Sequence, residues 1–442
     1  MHFSKEDCLK FVRENDVRFI RLQFTDISGR MKNIAITDKQ LANAFENGVM
    51  FDGSAVAGFT GVEASDMFLF PDPDTFAIIP WRPQQGKVVR LICDIKNHDG
   101  SQFEGDPRFI LKRTLKKAED LGYTFQVGPE CEFFLFYNDD EGQPTTITHD
   151  SASYCDLAPI DQGENTRREI CMILEEMGFE IEASHHETAA GQHEIDFKYT
   201  DALTAADNIM TFKMVVKSIA QRNGLHATFM PKPLPGVNGS GMHINMSLTR
   251  NGINLFKQDE IENDISETAK HFTAGLLSHI KGITAIANPL VNSYKRLKSG
   301  FEAPVHIAWS HMNRSPLLRV PAPRGEATRL ELRSPDPTCN PYLTLALVLE
   351  AGLEGLKNHL PLADPINVNI YNLTSEQEKD LKLERLPSNL FLALEEMKKD
   401  PLIHSTLGEH TFNKYLAAKT LEWEAYDNSI HSWEIEKYLK TY

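Results

Sequence analysis

The chain has 442 residues, 41% of them hydrophobic and 24% charged, with a formal net charge of -16. That length and apolar share are enough for a sizeable core and more than one domain. The acidic balance, with no Lys/Arg-rich block, excludes a protein built to neutralise nucleic-acid phosphates, and no uncharged run is long enough to span a membrane.

The opening segment places charges inside its apolar run, unlike a signal or transit peptide, and reads as an amphipathic helix over 4–14. Strand-like residues 17–26, a turn at 26–30, a strand over 33–37 and a helix over 38–47 follow. Residues 51–76 read as a long connection rich in glycine and aspartate, ordered by the interleaved Phe51, Phe59, Met67 and Phe68. A strand over 87–95 completes this unit. Asp106 as N-cap, Pro107 at the first helical position and Gly122 past the end then bound a helix. The expected domain boundary lies near residue 104.

Beyond it the spacing predicts strands at 125–136, 179–187, 192–199, 225–230 and 242–248, and helices at 163–177, 201–223, 266–288 and 341–358. The fold class is α+β with a substantial sheet in the larger part. From about residue 403 an amphipathic tail with exposed-looking aromatics suits docking on a neighbouring subunit. Cys8, Cys93, Cys131, Cys155, Cys171 and Cys339 are scattered without ligand-like spacing, as expected of reduced thiols in the cytoplasm.

The stretch "VGPECEFFLF" sets Glu130 and Glu132 on one face of an otherwise apolar strand, about 6.6 Å apart along it. Two unpaired carboxylates in such a setting are costly. Further acids and histidines follow: Glu182, His185, His186, Glu187 and Glu194 in "EIEASHHETAAGQHEIDF", and His243 at the start of a strand. "RLELR" alternates Arg329, Glu331 and Arg333. A single strand histidine is ordinarily a satisfied core residue, and "RLELR" alone is ordinarily a solvated, self-paired face. Five glutamates and one histidine beside apolar residues, without matching lysines, instead suit two hard cations such as Mg²⁺ or Mn²⁺. Such ions hold phosphates and arginines complete the clamp. Arg296, Arg314, Arg319, Arg324, Arg329 and Arg333 crowd one glycine- and proline-rich region. The pattern GxxxxGK[ST] is absent, which excludes a P-loop, and "GVNGSG" is a weak nucleotide motif because it leads into a strand. The residues alone therefore describe a two-metal phosphotransferase.

Taken together, "FDGS", "ASDMFLFPDP", "GPECEFFLF", "HHETAAGQHEID", "HATFMPKPLPGVNGSGMHINMS", "FEAPVHIAWSHMNRSPLLRVP" and "RLELRSPDPTCNPYL" resemble glutamine synthetase of the prokaryotic type I family, alpha subgroup, along almost the whole chain. The resemblance implies an N-terminal β-grasp-like domain (1–104) and a larger catalytic domain (105–442). The latter would have a curved antiparallel sheet, flanking helices and a C-terminal inter-ring helical tail. It also implies a homo-dodecamer of two stacked hexameric rings with active sites between ring neighbours, in the cytoplasm. The reaction implied is ATP-dependent ligation of ammonium to L-glutamate through γ-glutamyl phosphate. Nitrogen-regulatory proteins are the partner class that goes with it; nucleic acid and membrane are not.

Carried over by motif, one cation falls to Glu132, Glu187 and Glu194, facing glutamate, and the second to Glu130, His243 and Glu331, facing ATP. Arg314 and Arg333 would stabilise the transferring phosphoryl group, and Arg319 and Arg329 the nucleotide phosphates. Arg296, Asn238 and Gly239 would hold the amino acid, with His243 and Arg333 beside it. Glu182, Tyr199, Asn245 and Ser247 would line the nucleotide site. Asp52 of a neighbouring subunit would deprotonate ammonium in a pocket completed by Tyr154, Glu187 and Glu302, the last on a flap. Ala55, Cys155 and Gly61 depart from the usual pattern, and Gly61 stands where an arginine is tied to feedback by glutamine. Tyr371 resembles the adenylylated tyrosine of the beta subgroup, but the chain lacks that subgroup's extra segment, so modification is not expected. Two other readings keep the same residues: a γ-glutamyl ligase for a polyamine or other amine, and a non-catalytic structural or regulatory family member. Intact Asp52, Tyr154 and Glu302 favour ammonium.

Overall fold

The computed structural model describes residues 3–82, 85–258 and 264–442. The first helix, Lys5–Glu14, starts where its capping chemistry dictates. Ser4 Oγ accepts from Asp7 N at 3.1 Å and the Asp7 carboxylate accepts from Ser4 N at 3.0 Å, so two orphan donors are satisfied. Its buried residues, Cys8 and Val12, lie on one face.

A six-stranded sheet follows, in the order Met31–Thr37, Val17–Thr25, Lys87–Asn97, Asp66–Pro71, Val49–Asp52, with Ala77–Ile78 also paired to Lys87–Asn97. Val17–Thr25 and Lys87–Asn97 run parallel, and the other pairs are antiparallel. The segment expected to be a long connection thus contains the strand Asp66–Pro71 and ends the strand Val49–Asp52. The period-two signal was masked because Met67, Phe68, Leu69 and Phe70 are apolar on both faces, although only Met67 and Leu69 are buried. Its order has the expected cause: Phe51, Phe59 and Met67 are buried, and the rings of Phe24, Phe51 and Phe59 lie within 6.4 Å of one another.

The helix Pro107–Asp120 has its cap at Asp106, whose side chain accepts from Arg108 N. Arg108 itself is buried and reaches Asp72 at 2.8 Å, Asp94 at 2.7 Å and Asp207 at 2.8 Å. One cation thereby ties the first sheet to the helix Ala202–Arg222 behind the second.

The second sheet has eleven strands. Its main path is Trp309–His311, Leu318–Val320, Leu330–Leu332, Met242–Arg250, Thr124–Asn138, Gln192–Phe197, Ile181–His186. The expectation of an all-antiparallel sheet is corrected by one edge pair: Trp309–His311 and Leu318–Val320 run parallel, making the sheet mixed. Those strands are three residues long, too short for periodicity to reveal. Phe125, Val127, Cys131, Phe133 and Leu135 of the long central strand join the main core. The helices Ala202–Arg222, Glu267–Ala287 and Pro341–Lys357, each where the spacing predicts it, supply much of the rest.

The tail forms helices Pro401–Leu407, Glu409–Asp427 and Ser432–Tyr438. Tyr415 anchors it, donating to Ala285 O at 2.8 Å, whereas Ile430, Trp433 and Leu439 are exposed. All six cysteines are free, and no described helix is long and apolar enough to cross a membrane.

Candidate active site

Alternation along Thr124–Asn138 decides where the carboxylates point. From Phe125 to Leu135 the odd-numbered residues are buried, leaving Gln126, Gly128 and Glu130 half-buried on the opposite face, with Glu132 deeper. Neighbouring strands then add side chains by register. His243 and Asp196 flank Glu130 from either side, and Glu194 stands opposite Glu132. Asn245 is paired with Glu331, and Arg319 with Glu331 from the far side.

Of four sets of ligand-type atoms that converge within 4.8 Å among the described residues, two belong here: Glu130, His243 and Glu331, and His185, Glu187 and Glu194. The first is one of the two predicted trios. His243 Nδ1 lies 3.1 Å from Glu130 Oε2 and 3.7 Å from Glu331 Oε1. The second differs from its predicted trio. His185 stands between Glu187 and Glu194, at 3.4 Å and 3.2 Å. Glu132 Oε2 instead accepts from Gly241 N at 2.8 Å and Gln192 Nε2 at 2.9 Å. Glu130, His243, Glu132 and the whole second set line a single cleft of about 790 Å³, with Glu331 buried behind its wall.

The acids are poorly compensated by protein alone. Burial pushes Glu132 up to about 8, assisted by the charge of Glu187, and burial with Glu130 and Glu182 pushes Asp196 to about 8. Glu187 is raised to about 7 by burial and by Glu302, and Glu194 is raised by burial and by Asp196, Glu132 and Glu130. Glu130 goes the other way: burial opposes ionisation, but its bond to His243 and the Asn245 amide hold it near 2. Carboxylate oxygens with one imidazole in each set are the donors that Mg²⁺ or Mn²⁺ accepts, and their unrelieved repulsion fits cation occupancy.

The arginines divide between structure and cleft. Glu331 is buried and clamped by Arg319 and Arg333, each at 2.6 Å. Arg296, also buried, donates to the carbonyls of Ser334 at 2.7 Å and Arg333 at 3.1 Å, with its guanidinium on the cleft wall. Arg314 is exposed at the cleft, where its charge opposes the upward shift of Glu187. Glu302 has a left-handed backbone, φ 53°, and accepts from Asn238 Nδ2 at 3.0 Å. Tyr154 is exposed, with its ring 5.3 Å from that of His185. Gly239 and Tyr371 also line this cleft, and the Tyr371 hydroxyl is buried without a hydrogen bond.

A second cavity of about 690 Å³ adjoins it and shares Glu130 and Asp196. Glu182, Tyr199, Asn245, Ser247 and Arg329 line it, as expected of a nucleotide site. Arg329 Nε donates to Asn245 Oδ1 at 3.0 Å and Asn245 Nδ2 to Glu130 Oε1 at 2.8 Å, linking the two cavities. Arg319 lines neither, and Asp52 lies outside both cavities of its own chain, bonded to Ser54. His185, Asp196 and Gln192 are cleft residues that received no role from the sequence. Period two from Glu187 and Glu194 would have flagged the first two; nothing in the local pattern marks Gln192.

The family model "Glutamine synthetase, beta-Grasp domain" matches residues 16–98, and "Glutamine synthetase, catalytic domain" matches 104–438. A glutamine synthetase of Clostridium saccharobutylicum is 58% identical over 440 residues, covering 100% of this chain and 99% of that protein. One of Staphylococcus aureus (strain N315) is 55% identical over 441 residues, with the same coverage. Among solved structures, a GmaS/ADP complex superposes with TM-score 0.89 at 32% identity, covering 98% of this chain and 99% of that one. A Plasmodium falciparum glutamine synthetase superposes with TM-score 0.88 at 26% identity, covering 99% of each chain.

Proposed function

The chain belongs to the glutamine synthetase family, and we propose that its two adjoining cavities make glutamine from glutamate, ammonium and ATP with the residues described above. The observation that carries this is the meeting of the cavities at Glu130 and Asp196, with an acidic, arginine-lined cleft on one side and a nucleotide-sized cavity on the other. Two cations, Mg²⁺ or Mn²⁺, would be held by Glu130, His243 and Glu331 and by Glu132, Glu187 and Glu194, with His185 adjacent. Bound there, they would supply Lewis-acid neutralisation of phosphate and carboxylate charge.

Arg296, Asn238 and Gly239 orient glutamate so that a γ-carboxylate oxygen attacks the γ-phosphorus of ATP, expelling ADP. Arg333 and Arg314 stabilise charge on the transferring group, and Arg329 with Asn245, Ser247, Tyr199 and Glu182 position the nucleotide. Arg319 acts from behind, by fixing Glu331. Ammonium enters between Tyr154, Glu187 and Glu302. Asp52 of a neighbouring subunit removes its proton, ammonia adds to the acyl carbon and phosphate leaves. Glu302, on the segment around Gly300, closes the pocket and keeps water from the acyl phosphate.

The placement of Asp52 outside its own chain's cavities supports an active site shared between subunits, and the exposed Ile430, Trp433 and Leu439 support a tail that docks on another ring. We accordingly propose a cytoplasmic dodecamer of alpha-subgroup type, with domains 1–104 and 105–442 and nitrogen-regulatory protein partners. The deciding assay is phosphate release from Mg·ATP and glutamate with ammonium, with putrescine or with no amine. Turnover only with ammonium is expected; turnover only with putrescine assigns an amine ligase, and none with either assigns a non-catalytic protein.

A further inference from the structure

Three side-chain amides line the nucleotide cavity: Gln126, Asn245 and Asn254. Two are already committed. Asn245 bridges Glu130 and Arg329. Asn254 donates to the carbonyls of Glu326 and Thr328 at 2.9 Å and 2.7 Å, and its oxygen accepts from Phe256 N at 2.9 Å. The Gln126 amide has no hydrogen-bond partner among the described residues. It is half-buried in the cavity wall, with one donor side and one acceptor side left to offer.

Its position on the central strand says what it would meet. Gln126 is on the same face as Glu130, four residues and about 13 Å back along the strand. Gly128 lies between them and leaves that stretch of the face open; a Cβ there would stand 3.1 Å from Tyr199 Cβ. The face thus runs from a phosphate end at Glu130, past an open middle, to Gln126, whose register partner on the neighbouring strand is Ser247. An extended nucleoside triphosphate lying along it with its phosphates at Glu130 brings its base to Gln126.

We propose that Gln126 selects the base, its amide pairing with the N6 amino group and N7 of adenine. Adenine presents a donor and an acceptor on that edge, which one amide satisfies together. Guanine presents two acceptors, O6 and N7, and the amide leaves one opposed to its own oxygen. The inference rests on reading the cavity as the ATP site.

The test is steady-state kcat/KM of the full-length protein with ATP, GTP and 7-deaza-ATP, which lacks the N7 acceptor. Wild type is expected to favour ATP over both others by about 10-fold or more. Gln126→Met should lower kcat/KM for ATP by about 10-fold, through KM, while GTP and 7-deaza-ATP change little, so that the preference collapses. An unchanged KM for glutamate shows the variant folded. Gln126→Glu, which keeps an acceptor for N6 but repels N7, should turn the preference towards 7-deaza-ATP. Retention of the wild-type ATP preference in both variants overturns the assignment of Gln126. Wild type that makes no glutamine with any nucleotide overturns the reading of the cavity instead.

Discussion

Glu132 and Glu194 face each other across neighbouring antiparallel strands, as direct register partners. Like charges directly opposite destabilise a sheet, and both carboxylates are raised by burial and by neighbouring acids. The arrangement is a liability in the free protein and would become an asset with the proposed cation between the acids.

The first prediction follows from that pair. In chelated protein, Glu194→Gln should raise the melting temperature above wild type, because it removes a carboxyl that folding must either protonate or hold ionised opposite Glu132. Adding Mg²⁺ or Mn²⁺ should then raise both proteins, the wild type by about 2.7 kcal/mol more at 100-fold excess over the Kd of the site that Glu194 serves, since the variant keeps the site of Glu130, His243 and Glu331. Thermal melts with and without EDTA decide it; a variant that gains as much from metal as wild type would show that Glu194 holds none.

The pH dependence has an unusual sign. Glu132 and Asp196 at about 8 and Glu187 at about 7 all lie above their ordinary values of 4.5, 3.8 and 4.5. Each of the three therefore keeps a proton in the folded, metal-free protein that it has lost in the unfolded chain, and its contribution to stability falls as pH rises from about 5 to 8. Metal binding at pH 7 should release protons, read by calorimetry in buffers of different ionisation enthalpy. A chelated wild type that loses no stability over that range relative to Glu132→Gln would contradict these shifts.

Glu331 holds two guanidinium groups in place, so its removal should be felt twice. Glu331→Ala leaves Arg319 and Arg333 unpaired beside the cleft and should destabilise by about 3–5 kcal/mol, measured by denaturant unfolding. Activity should fall further than stability explains, because Arg333 loses its position at the cleft.

Gly241 packs directly beneath Arg296: a Cβ there would stand 2.4 Å from Arg296 Nη2. Gly241→Ala should displace the guanidinium and raise KM for glutamate on the order of 10- to 100-fold, leaving KM for ATP close to wild type. Equal effects on both substrates would place Arg296 elsewhere in the reaction.

Asp52 is exposed and bonded locally to Ser54, so Asp52→Ala should abolish synthesis without changing metal binding or melting temperature. Co-expressing Asp52→Ala with Glu132→Gln chains should restore part of the activity, since mixed neighbours rebuild some intact sites. No recovery in mixed oligomers would argue that each chain works alone.

Much of this architecture was legible from residue pattern. Long elements announced themselves: the helix at 107–120 through Asp106, Pro107 and Gly122, and the central strand through alternation around Glu130 and Glu132. The strand Asp66–Pro71 did not, because apolar residues on both its faces erase the period, and the three-residue strands at 309–311 and 318–320 are too short to show one.

The sequence by itself determined which face each carboxylate of the central strand takes, since a side-chain period of two depends only on local backbone geometry. The motifs implied that these acids divide between two cations. Which side chains come together was decided by register between strands far apart in the chain. That register put His243 beside Glu130 and Glu194 opposite Glu132, while packing gathered His185 with Glu187 and Glu194. It also engaged Asn245 and left the Gln126 amide unbonded, a distinction no local pattern carries, because a hydrogen-bond partner is fixed only when the whole sheet has formed.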